Sequence, residues 1–474
     1  MKKINELFQA PLEVVNLGIQ TFEETLTAQA VKTLHVEWSP AAGGDPVLLA
    51  ALSVLSDQPK IEAANAKAIA LLQSANPVWV DVVPAKEAIG LDATTFLHAG
   101  PPVTWSTMSV PMQGAIMAAL KYEGLASGDE EARSLAASGS LTFQPCHERG
   151  CVGPMTGVIS ASMPLLVIEN TEGGNRSYSS INEGAGDVAR FGAYTENTVR
   201  RLKWIETVLA PLLQQAIRSG EGINLKLLMA QALNMGDELH MRNNSATPLF
   251  LRTLVARIAP VASSLDQLNE VISFLTNRND QFFLNFAMAA MKAMTDAAHG
   301  IEYSTLVTAM ARNGVDIGIR VSGLGNQWFT APAADVDGLY FPGYTVADAN
   351  PDIGDSAIME TGGAGGFAMA AGAAIVKILG NLTYQDALQY TLDMYEITMA
   401  ESQTFTIPNL EFRGTPLGID IRKVVQTGVQ PVINTAIASK VAGGGMIGAG
   451  VAKAPKPMFQ NALLAFQTQY KEEL

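Results

Sequence analysis

Residues 12–38 read Leu12-Glu13-Val14-Val15-Asn16-Leu17-Gly18, an amphipathic run from Ile19 to Ala30, then Val31-Lys32-Thr33-Leu34-His35-Val36-Glu37-Trp38. The first run is a short apolar strand ending at a glycine, and the last is a second strand. Between them Phe22, Leu26 and Ala30 recur on one helical face. Strand, helix and strand in this length make a βαβ unit with parallel strands. The turn-rich Ser39-Pro40-Ala41-Ala42-Gly43-Gly44-Asp45-Pro46 closes it.

Working outward, helical patterns cover 46–55 and 61–74, and strand patterns cover 78–83 and 94–98. This alternation predicts an α/β fold with a parallel, Rossmann-like first sheet. The stretch after the first strand, Gly18-Ile19-Gln20-Thr21-Phe22-Glu23, lacks the dinucleotide glycine fingerprint, so no dinucleotide is inferred. The next hundred residues are punctuated by Gly and Pro, with helices near 111–125 and 130–137. From Glu196 to Asp296 the pattern is mainly helical, and from Thr305 it is mixed again. The expected organisation is a Rossmann-like domain over 1–105, an α+β domain over 106–200, a mainly helical region over 201–300 and a C-terminal α+β domain over 301–474. No solenoid period is visible.

Only 16% of the 474 residues are charged, against roughly 25% in an average soluble protein. So few charges imply surface that is buried again, between domains or against partners. The 31 basic and 45 acidic residues give a net charge of −14 with no basic run, which excludes nucleic acid and anionic membrane as expected partners. An anionic substrate would need a few locally placed arginines. Met1-Lys2-Lys3-Ile4-Asn5-Glu6 does not lead into a signal-peptide core, and the apolar stretch 365–380 is too short to span a membrane. The expected location is the cytoplasm. Cys146 and Cys151 flank His147, but a fourth ligand is missing, so ordinary thiols are expected rather than a metal site.

Several blocks carry chemistry. His98 ends a strand, where α/β sheets place ligands, and leads into Ala99-Gly100-Pro101-Pro102. His147-Glu148-Arg149 sits in a Gly/Pro loop. Asn182-Glu183-Gly184-Ala185-Gly186 precedes Arg190, where glycine amides and a guanidinium could face an anion, or where the chain simply turns into a helix. Gly236-Asp237-Glu238-Leu239-His240-Met241-Arg242-Asn243 is the densest polar cluster. If helical, it sets Glu238 by Arg242 and Asp237 by His240, either for acid–base work or as a helix-end ion-pair network. Arg312-Asn313-Gly314 turns into the alternating strand 315–322, which puts Gly318, Arg320 and Ser322 on one face with room for a bound group. Asp348, Asp352 and Asp355 could bind Mg²⁺ through water. Gly362, Gly363, Gly365 and Gly366, just before a helical pattern, form a candidate phosphate cradle or a close-packing contact. From side-chain chemistry, His98 and His240 are the candidate acid–base groups, with Asp237 and Glu238 orienting them. Arg190, Arg242, Asn243, Arg312, Asn313 and Arg320 are candidate anion binders.

Asn16-Leu17-Gly18, the 38–45 turn, 98–102, Val152-Gly153-Pro154-Met155, Asn182-Glu183-Gly184, 236–240, 312–314, Asp352-Ile353-Gly354-Asp355-Ser356 and Phe412-Arg413-Gly414 together resemble the bacterial YlbE/YahG-type family. The resemblance runs over residues 11–465. It implies a Rossmann-like domain followed by α+β domains and a small helical domain. One branch, the AllG type, is a subunit of oxamate carbamoyltransferase in anaerobic allantoin and purine catabolism. That enzyme exchanges oxalurate and phosphate for oxamate and carbamoyl phosphate. The implied partners are an FdrA-type, acyl-CoA-synthetase-like subunit and a small third subunit. Where the family reads Trp-Arg-Pro-Pro-Ala-Gly-Gly, this chain has Trp38-Ser39-Pro40-Ala41-Ala42-Gly43-Gly44, and His-Asn-Arg-Asn becomes His240-Met241-Arg242-Asn243. These departures imply a paralogue with its own substrate. The ordinary carbamoyltransferase signatures Ser-x-Arg-Thr and His-Pro-x-Gln are absent. The expectation is therefore a carbamoyltransferase-like subunit acting on a small carboxylate. The alternatives are a non-catalytic partner of the FdrA-type subunit and a small-molecule sensor.

Overall fold

The computed structural model describes residues 11–36, 38–277, 279–380 and 382–473. Residues 1–10, where the absence of a signal peptide is read, lie outside them. The βαβ unit forms: Glu13–Leu17 pairs in parallel with Lys32–Val36, with the helix Gln20–Ala28 between them. The sheet stops at these two strands. No residue of the helix is buried, and Leu12, Val15, Leu17, Phe22 and Leu34 all stand exposed.

The single Rossmann-like sheet expected for the first hundred residues does not form, because the later segments find other partners. Pro46–Leu55, capped by Asp45 accepting from the Val47 and Leu48 amides, packs on the helix Lys456–Tyr470. Pro77–Pro84 joins a five-stranded sheet ordered Cys151–Val152, Arg176–Ser180, Pro164–Asn170, Pro77–Pro84, Ile223–Asn224. Its pairings are antiparallel except the first. Thr95–His98 pairs in parallel with Thr142–Pro145. The fold is mixed α/β, with parallel and antiparallel sheets and many helices.

The helix Leu284–Ala297 lies on the five-stranded sheet, and every residue from 284 to 295 is buried. A helix apolar on all faces belongs in the middle of a fold. Here Phe286 packs on Trp79 and Phe250. Among its few polar side chains is Lys292, fully buried. A second sheet, all antiparallel, runs Phe329–Pro332, Asp316–Val321, Val307–Asn313, Ile353–Gly354. Arg312 and Asn313 therefore end a wholly buried strand. A third sheet joins Asp337–Tyr340, Met446–Lys453 and Val432–Ala438. No helix among the described residues is long and apolar enough to cross a membrane.

Candidate functional site

The segment between the helices Leu225–Asn234 and Ala246–Ile258 carries Asp237, Glu238, His240, Arg242 and Asn243. It is not helical. Gly236 and Leu239 take left-handed backbone, at φ +95° and +73°, so the i,i+4 pairing expected for Glu238 and Arg242 is replaced. Glu238 instead curls over its own loop, accepting from the backbone N–H of His240 at 2.9 Å and from that of Arg242. Asp237 accepts from the amides of Ser245 and Ala246, at 2.7 and 2.8 Å, at the start of the next helix. This loop geometry aims His240 inward.

The partner of His240 comes from elsewhere in the chain. Its Nδ1 lies 2.8 Å from Glu360 Oε1, with Glu360 fully buried and His240 2% exposed. The same carboxylate oxygen accepts from the Gly366 amide at 2.9 Å and the Asn434 amide at 3.3 Å. A carboxylate on Nδ1 fixes the ring orientation and leaves Nε2 for a reacting group. Burial pushes the Glu238 carboxyl up to about 7, against the opposing pull of His240, so a proton can be held or released near neutral pH. The Asn434 side chain, wholly buried, has neither Oδ1 nor Nδ2 hydrogen-bonded among the described residues, and Asn243 Oδ1 is also without a partner among them.

The glycine run serves this site differently from a phosphate cradle. Gly362, Gly363 and Gly365 donate to the carbonyls of Ile358, Glu360 and Glu238, at 3.0, 3.0 and 2.7 Å. With Gly366 bound to the Glu360 carboxylate, all four amides are engaged inside the protein. A Cβ on Gly365 would fall 2.1 Å from Glu360 Oε1. The run thus lets the backbone close on an internal anion.

A second group surrounds Asp355. Its carboxylate accepts from the amides of Gly100 and Gly153, at 2.9 and 3.0 Å, and burial raises it to about 7. His98, fully buried, has Nδ1 2.8 Å from the Ala99 carbonyl oxygen. Burial lowers His98 to about 4, so it is neutral, with Nδ1–H donating and Nε2 without a partner. Arg312 is spent on the fold: it grips Asp352 at 2.8 and 3.0 Å and donates to the Gly354 carbonyl, Ser356 and Thr435. Asn313 accepts from the amides of Val315 and Asp316 and donates to the Pro101 carbonyl.

Arg190 lies apart, donating to the Gly184 carbonyl at 2.9 Å, while Glu183 accepts from the Ala189 and Arg190 amides. Arg320 is 4% exposed, and the room expected beside it at Gly318 is filled by Trp328 and Pro101. Arg242 is half-buried, with Nε 3.4 Å from Asp237 and no hydrogen bond from its terminal nitrogens among the described residues. Asp348, Asp352 and Asp355 do not converge: Asp348 caps Thr345, while the other two have the partners given above. Among the described residues no group of three or more His, Cys, Asp or Glu could hold a metal ion. Cys146 and Cys151 are free, buried thiols. Glu360 and Asn434 carry no role in the sequence reading, because they lie 120 and 194 positions from His240 and only the fold unites them. The one local signal for Glu360 was a carboxylate directly before a glycine run.

A family model described as oxamate carbamoyltransferase subunit AllG matches residues 141–356. The chain is 46% identical over 468 residues to the uncharacterised protein YahG of Escherichia coli (strain K12), covering 98% of this chain and 99% of YahG. It is 46% identical over 405 residues to oxamate carbamoyltransferase subunit AllG of the same organism, covering 85% of this chain and 96% of AllG. A crystal structure of a conserved protein of unknown function from Enterococcus faecalis V583 superposes with a TM-score of 0.85 at 47% identity, covering 86% of this chain and 98% of that one. At this identity over nearly the whole length, the chain belongs to the family of YahG and AllG.

Proposed function

We propose that this chain is a subunit of an oxamate-carbamoyltransferase-like enzyme, acting in the cytoplasm with an FdrA-type subunit and a small third subunit. Its substrate is a small carboxylate bearing an amino, amide or ureido group, used with phosphate or carbamoyl phosphate. The departures at 39–42 and at Met241 support a substrate other than oxamate itself. The observation that carries the reading is the buried His240–Glu360 pair, 2.8 Å apart, in a relative of AllG. In the direction that consumes carbamoyl phosphate, the acceptor nitrogen attacks the carbamoyl carbon, the C–N bond forms and the C–O bond to phosphate breaks. His240 Nε2 takes the proton lost by that nitrogen, with Glu360 on Nδ1 and the Glu238-braced loop orienting the ring. Arg242 holds the substrate carboxylate through its free terminal nitrogens.

The test is co-expression of the chain with its partner subunits and assay of phosphate-dependent breakdown of oxalurate and its analogues. His240→Ala is expected to lower kcat by about 10²–10⁴-fold, the usual contribution of a positioned base, and Arg242→Ala to raise KM. Full activity in both variants would refute the assignment. The same assay on the purified chain alone separates a catalytic subunit from a non-catalytic partner.

A further inference from the structure

Arg320, His147 and the Lys292–His299 end of the helix Leu284–Ala297 come from three parts of the fold, with Trp328 against His147 and Arg320. Arg320 is on the strand Asp316–Val321, His147 is in the turn Cys146–Arg149, Lys292 is on the helix Leu284–Ala297 and His299 follows just beyond that helix's end. Arg320 Nη2 lies 3.1 Å from His299 Nε2, and Nη1 donates to the His147 carbonyl at 3.4 Å. His299 Nδ1 lies 2.7 Å from Thr308 Oγ1. The Trp328 ring centre is 5.9 Å from both the His147 ring and the Arg320 guanidinium, and its N–H donates to exposed Glu148 at 3.0 Å.

The polar accounting of this cluster does not close. Lys292 has three N–H donors, and its one hydrogen bond among the described residues is to Asp296, at 2.6 Å. Among the described residues Arg320 Nε has no acceptor and neither ring nitrogen of His147 has a partner, although His147 is 2% exposed. Asp355 stands 3.5 Å from His147 Nε2, beyond a good hydrogen bond, and already serves two amides. Buried donors left unmet are costly, and of the carboxylates around the two permanent cations only Asp296 is hydrogen-bonded to one of them among the described residues, to Lys292, while Asp355 serves backbone amides and Glu148 stands exposed against Trp328. Burial and these cations hold both imidazoles neutral.

We propose that this cluster is a binding site for a small oxyanion, phosphate or a small carboxylate, which accepts from Lys292 Nζ, Arg320 Nε and His147. Trp328 and Asn326 form its cover: Asn326 accepts from Arg320, and residues 325–327 are exposed. The site shares no residue with the His240 loop and does not depend on the transfer reaction; it is tested without turnover or partner subunits.

Titration of the purified full chain with inorganic phosphate and, separately, with oxamate is followed by calorimetry and by tryptophan fluorescence. Saturable binding of either anion is expected, with the two arms naming the source. Lys292→Met and Arg320→Gln are expected to weaken it about ten- to hundredfold, the loss of one charge-assisted donor. Trp328→Phe should keep the heat of binding and lose the fluorescence change. Circular dichroism verifies folding, and His299→Gln, which leaves both cations in place, should still weaken binding severalfold by releasing Arg320. Absence of saturable binding to the wild-type chain, or binding unchanged in the folded Lys292, Arg320 and His299 variants, would overturn the proposal. Loss of oxalurate turnover in the assembled enzyme, with phosphate binding intact, would count against the proposed function and not against this site.

Discussion

Arg312 separates a ligand-binding cation from a structural one. Its guanidinium meets Asp352 through two near-parallel bonds of 2.8 and 3.0 Å, and its remaining donors reach the Gly354 carbonyl, Ser356 and Thr435. Arg312→Met removes these bonds and leaves Asp352, 2% exposed, with the Thr435 hydroxyl as its remaining donor. Removing one partner of a buried ion pair costs about 3–5 kcal/mol, because the other charge stays buried and uncompensated. Asp352→Leu strands the guanidinium and is expected to cost a similar amount. The double variant strands neither charge, so its loss should be clearly smaller than the sum of the single losses. Urea unfolding followed by tryptophan fluorescence and circular dichroism measures this as shifts of midpoint at unchanged slope. An Arg312→Met variant that unfolds at the wild-type midpoint and raises KM for the anionic substrate would refute the structural reading.

At Gly365 the backbone has φ +59° and a Cβ would lie 2.1 Å from Glu360 Oε1. Gly365→Ala therefore combines left-handed strain with displacement of a charge-assisted bond, together about 3–5 kcal/mol, and a variant with wild-type thermal stability would show that the loop has room. Glu238 is raised from 4.5 to about 7 by burial, so the folded chain holds a proton there that the unfolded chain has released. Stability should then fall as pH rises from about 4.5 to about 7 and level off above, with Asp355 acting in the same direction. Glu238→Gln should flatten this slope by the share of one proton, and an unchanged profile would count against the buried carboxyl.

Local patterning made much of the secondary structure legible. The strand–helix–strand unit over 13–36, the helix from Pro46 and the strand ending near Ser322 all form where periodicity places them. Pairing between distant strands left no such trace. Pro77–Pro84 is read as the next strand of a parallel sheet but pairs antiparallel with residues 164–170, and short apolar runs suit either partner. The site was half legible. The 236–243 cluster announces itself by its polarity in a chain poor in charge, yet its loop conformation turns on left-handed backbone at Leu239, which residue type does not favour. Lys292 carries a local signal of its own, a lone cation in Met288-Ala289-Ala290-Met291-Lys292-Ala293-Met294.

The low charge content takes on a specific meaning once the carboxylates are followed individually. Glu183, Glu238, Asp237, Asp355 and Glu360 each accept from backbone amides of loops or helix starts. Asp352 is held by Arg312. The glycine amides and the arginine that suggest anion binding in the sequence are thus largely saturated by acids of the chain itself, which fixes the loops around His240 and His98. Equipment for an external anion must be sought where this saturation fails. By that criterion Arg242, with unengaged terminal nitrogens, and the Arg320–Lys292 cluster, with unmet buried donors, stand apart from Arg312 and the Gly362–Gly366 run. A substitution at the saturated positions acts through folding, whereas one at the unsaturated positions acts through binding. The measured split between stability and affinity therefore decides which cations face substrate.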